Sequence, residues 1–264
     1  MLISEDLQNK LRQKYNPDGS NLREYQLYLV QLLQEFDKIC KQIGVNYWIS
    51  QGTVLGAIRH GGFIPWDDDI DVEMTYADYC KFCRNFQETN NHAVQNIMTD
   101  PYYPLPFAKF RDKNKEINDT SSKIVKRYKY KGAFIDIFYT EYRFVAVSKF
   151  INYFFVASAK CGEMIKNDLA AKAMIKLFKY CGYSLSLLFR SILKWVPGKT
   201  FGLGYGSHFY YVESSETDIF PLNTIEFEGI QLPAPNNIDK YLKKIYGNYK
   251  ELPSLEKIKT HIGI

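Results

Sequence analysis

Four aspartates lie within five positions of the stretch IPWDDDID, residues 64 to 71: Asp67, Asp68, Asp69 and Asp71. Few arrangements tolerate such a cluster, because like charges this close repel and raise one another's pKa unless a cation sits among them. Either the four point into water as a solvated turn, or they hold a metal ion. The chain continues as DIDVEM, which predicts a strand with Asp69 and Asp71 on one face and Ile70 and Val72 turned to a core. Two carboxylates two residues apart on one strand face suit a hard cation that prefers oxygen ligands, such as Mg²⁺.

A third carboxylate from a neighbouring strand would complete the set. Asp136 is the candidate, because the apolar run AFIDIF gives it no easy route to solvent and buried charges must be paired or metal-bound. A calcium-binding loop is the competing reading, since Asp67, Asp69 and Asp71 match positions 1, 3 and 5 of an EF-hand. The required glycine and glutamate are replaced by Val72 and Asp78, so that match fails where the geometry is strictest. Upstream, QGTVLGAIRHGG puts Gly52 and Thr53 at the start of a short helix, whose exposed N–H groups suit a phosphate. Arg59 and His60 follow one to two turns later, and Gly61, Gly62 and Pro65 bring the chain back toward the acids. A phosphate cradle, metal carboxylates and a cationic arginine within twenty residues are the parts of a phosphoryl-transfer site.

The surrounding pattern is α/β or α+β. Apolar positions from Tyr25 to Ile43 keep helical spacing for more than five turns and stop at Gly44. Short strands are expected at VNYWIS, DIDVEM, YPLPFAKFRD and KGAFIDIFYTE, with a polar connection over 112–131 and a helix opened by Thr75 and Asp78. Residues 144–195 read as largely helical, and the tail as a hairpin followed by a helix that Gly247 closes. The expected division is a polar segment at 1–21, a catalytic core at 22–143, a helical insertion at 144–218 and a C-terminal hairpin and helix at 219–264.

Composition narrows the class. A net charge of +5 over 264 residues is too mild for a nucleic-acid binder and fits anionic substrates or an anionic membrane face. Five cysteines, an odd number without framework spacing, and a polar N-terminus without signal-peptide layout point to a reducing, cytoplasmic setting. The most apolar stretch, FVAVSKFINYFFVASAKC, is interrupted by Lys149, Asn152 and Lys160, so a core or interfacial helix is expected. Cys80 and Cys83 form a C-x-x-C inside a helical segment, with no second pair to complete a zinc site.

The string YWISQGTVLGAIRHGGFIPWDDDIDVEM closely resembles the signature of LicD-type phosphotransferases, the phosphorylcholine transferases among them, with fukutin-related proteins as more distant members. The likeness continues through FAKFRD and GAFIDIF and returns in the tail from about residue 219. It implies a nucleotidyltransferase-like fold of the polymerase-β type, with a small mixed sheet carrying Asp69, Asp71 and Asp136 as the metal and catalytic carboxylates. It further implies Mg²⁺, or Mn²⁺, and a CDP- or CMP-activated donor. The headgroup would be phosphocholine, phosphoethanolamine, aminoethylphosphonate or a polyol phosphate. The acceptor would be a sugar hydroxyl of a bacterial surface glycan, free or lipid-linked. CMP would be released at the cytoplasmic face. Arg59, Lys109 and Arg111 become candidate phosphate contacts beside Gly52 and Thr53, and His60 alone of the four histidines lies near the site. The resemblance as read from these motifs does not extend to residues 144–215, although YGSHFYYVE at 205–213 and Tyr139 offer aromatic walls for a cationic group. SLSLLFRSILKWVPGK, with basic residues edging an apolar stripe, suits either a packed helix or a membrane interface. Rival readings are a nucleotidyltransferase releasing pyrophosphate, a D-x-D glycosyltransferase and a metal-sensing or glycan-binding protein.

Overall fold

The computed structural model describes residues 3–207 and 213–253. Most of the aromatic stretch at 205–213, with His208, and the C-terminal THIGI lie outside the described residues. Ser4 caps helix α1, Glu5–Tyr15, in the segment read as merely polar; only Gln8 and Leu11 of this helix are buried, so its sequence carries almost no apolar period. Helix α2, Asn21–Ile43, follows the expected spacing. The Ser20 hydroxyl accepts from the Arg23 N–H at its start, and Gly44 ends it in a left-handed conformation with φ of 72°. Leu29, Leu33 and Phe36 on its inner face are fully buried, each contributing about 2 kcal/mol of apolar transfer.

The next elements in order are β1, Trp48–Ile49; α3, Gln51–His60; β2, Asp71–Thr75; α4, Tyr76–Asn85; β3, His92–Gln95; β4, Ala108–Glu116; and β5, Gly132–Arg143. After them come α5, Val145–Met164; α6, Asp168–Ile192; β6, Thr200–Leu203; α7, Glu216–Ile219; β7, Asn223–Phe227; β8, Ile230–Ala234; and α8, Ile238–Tyr246. One mixed sheet runs in the order β1-β2-β5-β4-β3, with β6 hydrogen-bonded to the far half of β5, while β7 and β8 form a separate hairpin. The fold is α+β, as its sequence implies.

Two boundaries differ from the sequence reading. The strand in DIDVEM begins only at Asp71, leaving Asp69 in the lead-in, and β4 runs on to Glu116 into the polar connection. β4 can do so because its outer residues face solvent while its backbone still pairs with Gly132 of β5. The Thr75 hydroxyl caps α4 by accepting from the Asp78 N–H, as expected. Residues 144–195 are two long helices, and β6 returns the chain from them to the edge of β5. The buried β5 is the centre of the molecule: its residues pair with β2, β4 and β6 in turn.

Candidate active site

The register of three strands aligns three charged residues in one row. β2 runs parallel to β5 with Asp71 opposite Asp136, and β4 runs antiparallel to β5 with Lys109 opposite Asp136. Directly opposed side chains share a sheet face, so two carboxylates and an ammonium stand side by side. Lys109 Nζ lies 2.6 Å from Asp136 Oδ1 and 3.4 Å from the centre of the Phe134 ring. Burial pulls the Lys109 pKa down, while the neighbouring Asp136 pulls it up.

Asp69 reaches the row from the lead-in, and one carboxylate oxygen each of Asp69, Asp71 and Asp136 lies within 4.8 Å of the others. A second group joins Asp67, Asp68 and Asp69. Burial raises the Asp71 pKa well above the ordinary carboxylate value, and the charges of Asp69, Asp136 and Asp67 raise it further. Hard oxygen donors that repel one another in this way fit a divalent cation, whose charge would offset the repulsion. Asp69, Asp71 and Asp136 could hold such an ion.

Helix α3 sits against this cluster. The Gly52 N–H hydrogen-bonds the Asp71 carboxylate, and Thr53 Oγ1 accepts from the Asp71 N–H at 2.8 Å. Both residues read as a phosphate cradle therefore hold Asp71. A Cβ at Gly52 would stand 3.1 Å from Asp67 Oδ2, so that carboxylate would have to shift by a few tenths of an ångström to admit it. Gln51, with φ of 45°, makes the sharp entry into α3; its N–H donates to Tyr241 Oη at 3.2 Å. Tyr241 in turn donates to Glu73 Oε1 at 2.7 Å, and burial pushes the Glu73 carboxyl up to about 7. Neither Tyr241 nor Glu73 stood out in the sequence, because their link spans 168 residues.

The row opens into a cleft of about 910 Å³. Gln51, Gly52, Arg59 and all five aspartates of the cluster line it, with Trp66, Phe107, Tyr128, Phe134, Phe138 and Tyr249 as aromatic walls. These rings come from separate elements, so no local pattern announced them. Arg59 is buried at the cleft edge, its Nη1 donating to the Tyr249 and Glu251 carbonyls at 3.2 and 3.0 Å. Lys109 also lines the cleft.

Arg111 and His60 stand elsewhere. Arg111 is wholly buried; its Nε donates to Gln95 Oε1 at 2.8 Å and its Nη1 to the Gly132 carbonyl at 2.6 Å, which ties β3 to β5. His60 turns toward α1, with Nδ1 2.6 Å from Gln8 Oε1 and Nε2 accepting from Arg59 Nε at 3.2 Å. Burial and the adjacent Arg59 lower its pKa to about 3, so the ring is neutral. Neither residue lines the 910 Å³ cleft.

Residues 44–172, which contain the carboxylates and the lysine, match the family described as LicD/FKTN/FKRP, nucleotidyltransferase domain. Over these residues the chain carries a LicD-family domain. Along nearly its whole length the chain is similar to the lipopolysaccharide cholinephosphotransferase LicD of Haemophilus influenzae, at 29% identity over 260 residues, 91% of this chain and 95% of that protein. Shorter matches are to ribitol 5-phosphate transferase FKRP of Homo sapiens, 42% identical over 57 residues, and ribitol-5-phosphate transferase FKTN of Mus musculus, 43% over 49 residues. These cover 22% and 19% of this chain but only 10% and 11% of the two relatives. The chain is thus a LicD-type phosphotransferase with a nucleotidyltransferase-like core, as its signature string implies.

Proposed function

We propose that this chain moves a phosphorylated headgroup, phosphocholine foremost, from a CDP- or CMP-activated donor to a sugar hydroxyl of a bacterial surface glycan. The observation that carries the reading is the row Asp71, Asp136 and Lys109 at the floor of an aromatic-walled cleft. Similarity to a cholinephosphotransferase over 91% of the chain supports the headgroup. The aromatic walls suit a trimethylammonium group, which is attracted to ring faces.

The acceptor oxygen attacks the β-phosphorus of a CDP-linked donor; its bond to phosphorus forms as the bond from phosphorus to the CMP oxygen breaks. CMP leaves with the electron pair, and the hydroxyl proton passes to the Asp136 carboxylate. Lys109 orients that carboxylate and adds positive charge beside the reacting phosphate. Arg59 meets the diphosphate at the cleft edge. Mg²⁺ or Mn²⁺ held by Asp69, Asp71 and Asp136 would neutralise the diphosphate and the leaving group. Gly52 and Thr53 act by fixing Asp71. The reaction would run in the cytoplasm, where nucleotide-activated donors are made.

The test supplies the purified chain with choline-labelled CDP-choline, Mg²⁺ and a lipopolysaccharide or teichoic acid lacking the substituent. Label in the glycan with an equal amount of CMP is the expected result. Release of pyrophosphate from a nucleoside triphosphate, or turnover of a UDP-sugar alone, would overturn it.

A further inference from the structure

Helices α5 and α6 each have two apolar faces where a packed helix needs one. Against each other and the body, α5 buries Ile151, Phe155 and Ser158, and α6 buries Ala171, Ile175 and Gly182. The opposite face of α6 carries Leu169, Leu177, Leu188 and Ile192, exposed by 78, 54, 50 and 61%. Trp195, 85% exposed, follows just past the helix end. The spacings are 8, 11, 4 and 3 residues, which at 100° per residue keep Leu177, Leu188, Ile192 and Trp195 within one sector with Leu169 at its edge. From Leu169 to Ile192 it runs about 35 Å at 1.5 Å per residue. On α5 the outward residues include Phe150, Tyr153 and Met164. Among the described residues, ten of the fourteen exposed large apolar side chains fall between Phe150 and Val196. Single exposed apolar residues need no explanation, but a concentration of this kind marks a contact surface.

Charge identifies the partner. Residues 144–200 hold nine basic and two acidic side chains, a net +7, whereas the whole chain nets +5. The rest of the molecule is therefore slightly acidic, and the excess of basic charge belongs to this segment. Lys179 and Arg190 are spent inside the fold, on the Asp100 carbonyl and the Glu141 carboxylate. On helical spacing Lys172 and Lys176 share one flank of α6, Lys194 follows the helix end, and Lys160 and Lys166 stand near the turn between the helices. An apolar stripe flanked by lysines whose stems can lie along it, with a tryptophan at its end, is the pattern of a helix lying in a lipid headgroup layer. Among the described residues no helix is long and apolar enough to cross a bilayer.

We propose that the outer face of the α5–α6 hairpin docks this protein on an anionic bilayer, with the apolar side chains below the headgroups and the lysines on the phosphates. Ala159 of α5 lines the carboxylate cleft, so docking would hold the cleft opening close to the lipid surface. The benefit for a lipid-linked glycan acceptor rests on the transferase reading; binding to lipid does not.

The experiment is sedimentation of the full chain with vesicles of phosphatidylcholine alone or with 30% phosphatidylglycerol, with tryptophan emission recorded in parallel. Binding to the anionic vesicles only, with a blue shift that the Trp195→Phe variant lacks, is expected. At about fivefold per lysine, the variant Lys172→Gln/Lys176→Gln/Lys194→Gln loses on the order of 100-fold in affinity. Leu188→Gln/Trp195→Ser also loses binding while its thermal midpoint stays unchanged, because both side chains are exposed. Failure of the wild type to sediment, or equal binding to neutral vesicles, would overturn the proposal. So would a dimer in solution that Leu188→Gln/Trp195→Ser dissociates, since a second copy would then cover this face.

Discussion

Replacing Asp71 by asparagine keeps its shape and removes one negative charge from a cluster that repels itself. The asparagine oxygen can still accept from the Gly52 N–H, and the backbone N–H still reaches Thr53 Oγ1. Asp136 is already offset by Lys109 at 2.6 Å, so the repulsion removed is mainly that of Asp69. Two carboxylates whose oxygens lie within 4.8 Å of one another repel by about 3 kcal/mol at an effective dielectric of about 20. Metal-free Asp71→Asn should therefore be more stable than wild type by up to about 3 kcal/mol, a rise in midpoint of roughly 6–10 °C. Burial and like charges raise the folded-state pKa of Asp71, so the native cluster is relieved by protonation and strained above that pKa. The advantage of the variant should accordingly shrink as pH falls from the raised folded value toward the unfolded value of about 3.9. With Mg²⁺ the order inverts: the wild-type midpoint climbs, by about 2.7 kcal/mol of stability at a hundredfold excess over Kd, while the variant stays still and has no turnover. Scanning calorimetry of both proteins, with EDTA and with Mg²⁺, reads all of this. An Asp71→Asn variant that is less stable in EDTA, or that gains as much from Mg²⁺ as wild type, would refute the electrostatic reasoning.

Glu73→Gln tests the buried carboxyl: its folded pKa of about 7 against 4.5 means stability is fully present below 4.5 and lost as pH rises through 7. The glutamine variant should match wild type near pH 4 and exceed it by about 3 kcal/mol at pH 8 in urea titrations; equal pH profiles would contradict the assignment. Gly52→Ala places a methyl 3.1 Å from Asp67 Oδ2. Turnover should fall at least about tenfold while stability changes by under about 1 kcal/mol, and full activity would remove the close-approach argument. Arg111→Met leaves Gln95 and the Gly132 carbonyl without their buried donor. It should cost about 3 kcal/mol in urea, and an unchanged midpoint with weakened donor binding would make Arg111 a phosphate contact instead.

The acidic cluster was legible because charge repulsion makes DDDID improbable without a purpose, and Asp136 because an acid inside AFIDIF has few other uses. What joins them was not legible. Asp71 meets Asp136 through a parallel register formed across a long crossover, and Lys109 enters only through the antiparallel register of β4. Asp69 lies beside Asp71 and Asp136 although β2 begins after it, so a shared strand face is not what brings it there. Gly52 and Thr53 carried a phosphate-loop pattern, yet the nearest anion they serve is Asp71 itself. Arg111 resembled a ligand contact because sequence cannot separate a guanidinium facing a cleft from one tying strands together. Helix α1 went unseen because it buries too little to leave an apolar period.

The most direct test of the account is calorimetric titration of the purified chain with CDP-choline, CDP-ethanolamine, CMP-aminoethylphosphonate, CDP-ribitol and UDP-glucose, each with and without Mg²⁺. The account predicts that one cytidine donor binds, CDP-choline foremost, that binding needs Mg²⁺, and that Asp71→Asn and Asp136→Asn abolish it. Metal-independent binding, or binding of UDP-glucose alone, would contradict it.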